Sequence, residues 1–236
     1  MKKHIIEGYE FFMDTIENAN FIFSTAENNL NFNMNTEEGQ KNLHNLKRWF
    51  NIKEIGYLKQ IHSNLVYNYD GEIHQGDGLI TDRKNIGVGV FTADCVPILI
   101  YDKTIKVCTA VHSGWKGTLS EVVVNALSKL KSEYGCKMSD LVIRIGPHNK
   151  SCCYEVGEEV IELFKSKELY KHLEILTDKN LNLESCIIAQ LLSNGVLLEN
   201  IITMDICTYC NKEHSLYSYR KMKEDCGRMF SFIYMT

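Results

Sequence analysis

The feature that most restricts the fold is a change of hydrophobic period between residues 86 and 134. Ile86 to Thr92 alternates glycine with branched or aromatic residues, Val96 to Tyr101 is almost wholly apolar, and Ile105 to Val111 is rich in β-branched residues. Short runs of that kind read as strands. From Leu119 the spacing becomes helical, with Leu119, Val122, Val123, Ala126, Leu127, Leu130 and Tyr134 on one face. Thr118 and Glu121 fit a capping box and Gly135 fits the stop, which predicts a helix from Leu119 to Tyr134. Further on, Leu141 to Ile145, Ile201 to Met204 and Met229 to Tyr234 read as strands. Glu158 to Phe164 and Leu183 to Leu192 read as helices. Upstream, the Asn-rich stretch from Glu27 to Gln40 reads as a surface loop, followed by a short helix from about Gly39 to Phe50. Strands and helices mixed along the whole chain give an α/β (α+β) class.

With 236 residues, only two prolines and no Ser/Gly-rich linker, the expected organisation is a single domain spanning residues 1–236. A chain of this size buries roughly 70% of its unfolded surface and needs no disulfide or metal to fold. Lys plus Arg number 26 against 30 Asp plus Glu, a net charge of −4. That lacks the basic footprint of a nucleic-acid binder. No run approaches the roughly 18 apolar residues of a membrane span, and Glu7 and Glu10 interrupt any signal-peptide core. A cytoplasmic location is expected, in which most of the nine cysteines are reduced and a few serve as metal ligands or nucleophiles.

Two loops rich in glycine and polar residues stand out: Thr92-Ala93-Asp94-Cys95 and His112-Ser113-Gly114-Trp115-Lys116-Gly117. The two strands between them are separated by Asp102-Lys103-Thr104. A hairpin turning between Lys103 and Thr104 places Cys95 opposite His112, where Cβ atoms sit about 4.5–5.5 Å apart. That spacing suits two ligands of one metal ion or a Cys–His nucleophile pair. A lone Cys or His at a strand end is most often structural. The pair at one hairpin mouth, on loops held by a rigid sheet, points to a site. A third ligand from Gln60-Ile61-His62-Ser63 would complete His, Cys and His with one tetrahedral position open, the mark of a catalytic zinc site. Spacing alone leaves His74 and His148 equally eligible.

Downstream, Cys207-Thr208-Tyr209-Cys210 is followed by His214 and Cys226, a weak signal for a structural zinc knob. Cys152 and Cys153 are adjacent, and on a strand they would point to opposite faces, away from any shared ion.

Read in order, several segments together resemble the YfiH-like family, also called the laccase-domain or multicopper polyphenol oxidase family. They are Gln60-Ile61-His62-Ser63, Gly76-Asp77-Gly78-Leu79-Ile80-Thr81, Thr92-Ala93-Asp94-Cys95-Val96-Pro97 and Ala110-Val111-His112-Ser113-Gly114-Trp115-Lys116-Gly117. The series continues with Ile145-Gly146-Pro147, Cys153-Tyr154-Glu155-Val156-Gly157, Tyr217-Ser218-Tyr219-Arg220 and Gly227-Arg228-Met229-Phe230. The resemblance runs from about residue 20 to the C-terminus.

It implies mixed sheets sandwiched between helical layers, with His62, Cys95 and His112 binding one Zn2+. The implied activity is phosphorolysis of adenosine, inosine, guanosine and methylthioadenosine, with adenosine deamination. An older family label implies Cu2+ and laccase chemistry, but three ligands suit one ion better than a multicopper cluster. The expected partners are therefore purine nucleosides and phosphate, with no nucleic acid or membrane, in a monomer or small homo-oligomer. Cys95, His112, Asp94 and Arg220 are the expected catalytic residues, Asp94 or Glu155 serving as base or holding a ligand in place. Trp115, Lys116 and Glu155 are expected near substrate, Trp115 either to stack on the purine or to cover the sheet end, and Lys116 or Arg220 to orient phosphate. The chain departs from the family where Phe-Ser-Thr-Arg is common and Phe23-Ser24-Thr25-Ala26 stands here. Lys116 stands where an arginine is usual, keeping the charge without the bidentate fork.

Overall fold

The computed structural model describes residues 1–236 and contains two six-stranded sheets packed face to face. The first runs in the order β1 (Lys2–Ile6), β2 (Tyr9–Ile16), β3 (Ala19–Ser24), β14 (Met229–Met235), β7 (Ile86–Thr92) and β4 (Glu54–Gly56). The second runs β13 (Ile201–Thr203), β10 (Leu141–Ile145), β8 (Val96–Asp102), β9 (Val107–Ser113), β6 (Gly78–Thr81) and β5 (Val66–Asn68). A short pair, β11 (Leu176–Thr177) and β12 (Asn180–Leu181), lies apart. The helices are α1 (Glu37–Trp49), α2 (Trp115–Leu119), α3 (Val122–Tyr134), α4 (Glu158–Lys165), α5 (Leu183–Ser193) and α6 (Tyr219–Met222). None is long and apolar enough to cross a membrane.

The almost wholly apolar β8 follows from its place between two hydrophobic layers. Alternate side chains of a strand point to opposite faces. Leu99 and Tyr101 enter the core between the sheets, with Phe21, Phe23, Val88 and Val90 of the first sheet. Ile98 and Ile100 enter the core beneath α3 and α5, with Val123, Leu127 and Ile187. On the outer face of the first sheet α1 contributes Leu43 and Leu46 to a third cluster. The result is helix, sheet, sheet, helix, the layered α/β arrangement expected. The glycines of β7 belong to this packing: a Cβ on Gly89 would stand 2.3 Å from the Phe230 ring.

Three expectations are corrected. The helix expected over Leu119–Tyr134 is two, because Glu121 between them is left-handed at φ 64°. Thr118 forms no capping box; its hydroxyl turns inward to Ser113 at 2.8 Å. The polar stretch after Glu27 is anchored, since Leu30 and Phe32 are fully buried. Its asparagines replace missing main-chain partners: Asn31 Oδ1 accepts from the N–H groups of Asn33 and Arg228. Finally, the β8–β9 hairpin is offset by two residues, pairing Pro97 with His112 and Val96 with Ser113. Asp102 Oδ1 accepts from the N–H groups of both Thr104 and Ile105 at 2.8 Å. With Lys106 at φ 64° this makes a four-residue turn rather than a two-residue one. A shift by two keeps every side chain on its face, so Cys95 still emerges beside His112, just beyond the last paired residue.

Candidate metal centre and active-site cleft

His62, Cys95 and His112 meet at the end of the second sheet, their ligand atoms all within 4.8 Å of one another. Cys95 Sγ lies 3.9 Å from His62 Nε2, and the two imidazole rings are 4.9 Å apart, centre to centre. Each comes from a different piece of chain. His112 is buried on β9, Cys95 sits in the bend before β8, and His62 is exposed on the loop after β4. Of the three eligible upstream and downstream histidines, His62 alone joins the pair. His74 stacks on Tyr67, and His148 bonds the Gly146 carbonyl.

One residue whose role the sequence reading missed organises the triad. Asp77, fully buried before β6, accepts from His112 Nδ1 at 2.8 Å. It also accepts from the main-chain N–H groups of His62 at 3.1 Å and Ser63 at 2.6 Å, and from the Ser63 hydroxyl at 2.7 Å. The Asp77 carbonyl receives the His112 N–H as well. A carboxylate on one nitrogen of a histidine fixes the tautomer and aims the other nitrogen at a metal. The same carboxylate holds His62 at φ 59°, a conformation non-glycine residues seldom adopt. Gln60 completes the loop by clamping both main-chain polar groups of Phe91.

The donors fit a divalent soft cation. They are one sulfur and two imidazole nitrogens, the class that binds zinc. The backbone is shaped around them: a Cβ on Gly114 would lie 2.9 Å from Cys95 Sγ and 3.1 Å from His62 Cδ2. Burial pushes the Cys95 thiol up, but the neighbouring His112 outweighs it and brings the pKa down to about 6. The converse holds for His112, where burial is overcome by Cys95 and Asp77 and the pKa rises to about 9. Both shifts describe a thiolate beside an imidazolium, as metal-free protein would carry.

A reactivity prediction follows. In metal-stripped protein, iodoacetamide labels Cys95 with a rate half-maximal near pH 6, as read by peptide mass spectrometry, and added zinc suppresses it. Cys108 and Cys186, buried and pushed to high pKa, stay unlabelled. Labelling of Cys95 that begins only above pH 8 is incompatible with this pairing.

Around the triad lies a cleft of about 860 Å³, within the range of small-molecule sites. Its walls carry Phe91, Tyr154 and Tyr219 together with the cations Arg220, Lys223 and Arg228. Arg220 is placed as expected, lying over the Tyr154 ring and donating to the Glu155 carbonyl. Asp94 also lines the cleft, but both of its carboxylate oxygens are engaged: Oδ1 accepts from Thr208 Oγ1 at 2.6 Å and Oδ2 from the Arg220 N–H at 2.7 Å. At φ 93° it is a strained hub joining loops, with a donor on each carboxylate oxygen. Glu155 is exposed outside the cleft, offering Arg220 its carbonyl. Trp115 and Lys116 line a separate depression with Leu163 and Lys167, so neither contacts this cleft. Lys223 and Arg228, which the sequence reading did not single out, add positive charge to the lining of this cleft. His214 and Cys226 do not join Cys207 and Cys210, since His214 pairs with Glu10 at 2.9 Å and Cys226 is buried elsewhere.

A Cys–His–His cluster in a cleft lined by Arg220, Lys223 and Arg228 with Asp94 and Glu224, at the end of a layered two-sheet α/β fold, defines a metal-associated protein class. The chain belongs to the multi-copper polyphenol oxidoreductase laccase family, whose model matches residues 19–236. It is 51% identical over 230 residues to a purine nucleoside phosphorylase of Clostridium acetobutylicum, covering 97% of each chain. It is 36% identical to one from Borreliella burgdorferi, covering 73% of this chain and 76% of that one. Among solved structures, Bacillus licheniformis hypothetical protein YfiH superposes with a TM-score of 0.84 at 24% identity, covering 92% and 93% of the two chains. That likeness concerns the fold.

Proposed function

We propose that this chain is a zinc-dependent purine nucleoside enzyme. It cleaves adenosine, inosine, guanosine and methylthioadenosine by phosphorolysis, and it deaminates adenosine. The observation that carries the reading is the convergence of His62, Cys95 and His112 in a cleft walled by three cations and three aromatic rings. The names of the relatives support nucleoside phosphorolysis. The chemistry an ion supplies when bound there is Lewis acidity toward an oxygen ligand, with activation of water for deamination.

The residues divide the remaining work. Arg220, Lys223 and Arg228 hold the phosphate dianion and screen its charge for attack on the ribose C1′. As the new C1′–O bond forms and the bond from C1′ to the purine nitrogen breaks, the electron pair leaves with the base, which takes up the proton that the phosphate gives up. Phe91, Tyr154 and Tyr219 offer aromatic faces to the purine. Asp94 fixes the Arg220 main chain relative to Cys95 and so positions the phosphate against the metal centre.

The test couples metal analysis to turnover. Protein purified under reducing conditions carries zinc, releases hypoxanthine from inosine only when phosphate is present, and converts adenosine partly to inosine. Protein that carries no metal and leaves all four nucleosides intact overturns the assignment. A metal-free Cys–His hydrolase is the second reading, favoured by the lowered Cys95 pKa. It requires activity that survives chelators and dies on alkylation, whereas the zinc enzyme is lost to chelators and shields its thiol.

A further inference from the structure

Cys152, Cys153, Cys207 and Cys210 form a second cluster, with all four sulfurs within 4.8 Å of one another. The topology brings them together. β10 and β13 pair in parallel, Ile143 with Ile201 through Ile145 with Thr203, so the loops that follow them leave the same edge side by side. A parallel bridge between His148 and Cys207 continues the pairing into the loops. Thr208 N–H donates to the His148 carbonyl at 2.9 Å. Cys152 and Cys153 then lie in a turn, not a strand, with the N–H groups of Cys153 and Tyr154 both directed to the Lys150 carbonyl. The turn removes the strand geometry that would have sent the two side chains to opposite faces. Across from it, Cys207 and Cys210 close a Cys-x-x-Cys turn, with Asn211 N–H donating to the Cys207 carbonyl at 3.1 Å.

We infer that these four thiols form a tetrathiolate site for one zinc-class divalent cation, separate from the cleft. Cys152 Sγ and Cys210 Sγ are 3.6 Å apart. Four sulfurs about 2.3 Å from a tetrahedral ion stand about 3.8 Å from each other, so the cluster needs little movement to close on one. A disulfide, with sulfurs at about 2.05 Å, would join two of the four and leave two thiols beside it; a single cation uses all four. Lys150 lines the same depression, ion-paired with Asp205 at 2.6 Å.

The site has a mechanical consequence, because the clipped loops also grip Asp94. Asn149 N–H donates to the Asp94 carbonyl at 2.9 Å, and Thr208 Oγ1 to its carboxylate. The cation thus acts as a staple two loops away from Cys95, holding the residue that precedes it.

The inference is tested in a Cys95→Ser chain, where the cleft site is disabled and its one thiolate is gone. Purified under reducing conditions and dialysed, this chain retains one zinc. Cobalt loaded into its metal-free form gives intense thiolate-to-cobalt charge-transfer absorption. Adding Cys210→Ser abolishes that absorption and the retained metal. Should the second variant not fold, metal content and cobalt spectrum of the Cys95→Ser chain alone decide the matter. A Cys95→Ser chain that retains no metal and gives no such absorption overturns the inference, as does a Cys152–Cys210 disulfide in wild-type protein alkylated before reduction. Neither result bears on nucleoside turnover, so the two proposals fail separately.

Discussion

Under the proposed function, replacing Cys95 with serine lowers inosine phosphorolysis by on the order of 10³-fold, and the cleft no longer holds zinc while the fold persists. Three features set the size and selectivity of this effect. Cys95 is half-buried in a bend beyond the β8–β9 ladder, so exchanging sulfur for oxygen removes no strand pairing and opens no core cavity. The sulfur is the only anionic donor of the three, and serine stays neutral at this position. With it goes the larger of the two charges that raise the His112 pKa, although Asp77 still raises it and keeps the ring oriented. The expected readout is a collapse of kcat, one fewer metal per chain, and a thermal midpoint within a few degrees of wild type. Full activity in this variant would remove Cys95 from the metal centre, and a large drop in midpoint would make it a structural residue.

The variant also shows where sequence reasoning reached and where it stopped. Period changes located β7 through β10, α3 and α5, because strands enclosed by two apolar layers leave an almost unbroken hydrophobic signature. Cys95 and His112 were legible as a pair even though the turn was misjudged, since a two-residue shift preserves the face. The N-terminal strands β1 to β3 were not anticipated. Leu30 and Phe32 were hidden in an Asn-rich stretch, where two anchors among polar neighbours carry no period. The split at Glu121 was invisible because the helical spacing continues across it. Long-range convergence was beyond reach altogether. Nothing in the spacing of Cys152 and Cys153 shows that a turn aims both at Cys207 and Cys210, 54 or more residues later. Nor does spacing bring Lys223 and Arg228 into the lining of one cleft with Arg220. Asp77 did leave a signal, an acidic residue between two glycines ahead of an apolar strand. A Cβ on Gly76 would stand 2.8 Å from the Tyr67 ring, and one on Gly78 2.9 Å from Val66. The flanking glycines therefore let this carboxylate sit deep in the sheet.

Asp77 carries the second large effect. Changing it to alanine destabilises the protein by about 3–5 kcal/mol, the usual cost of removing one partner of a buried charged pair. Any folded fraction binds added zinc about 10- to 100-fold more weakly than wild type. The cost arises because His112 Nδ1 and the N–H groups of His62 and Ser63 lose their shared acceptor at once. With that acceptor gone, nothing holds the left-handed backbone at His62. Asp77→Asn separates the two roles. Its single amide oxygen can serve the Ser63 N–H and hydroxyl, but its NH2 cannot accept from His112, so most of the stability returns while metal affinity stays low. The pH dependence has a definite sign. Burial opposes ionisation of Asp77, yet the bonds from His112 and Ser63 outweigh it and hold the carboxyl below the ordinary aspartate range. The native state therefore binds this proton less readily than the unfolded chain. The stabilisation is complete above the unfolded aspartate pKa and is lost as pH falls through the lower native value. Urea denaturation of metal-free wild type and Asp77→Asn between pH 7 and pH 3 reads this directly. The gap between the two proteins narrows as the medium becomes acidic. A gap that is constant or widens towards low pH would mean that Asp77 is not the charged hub of the site.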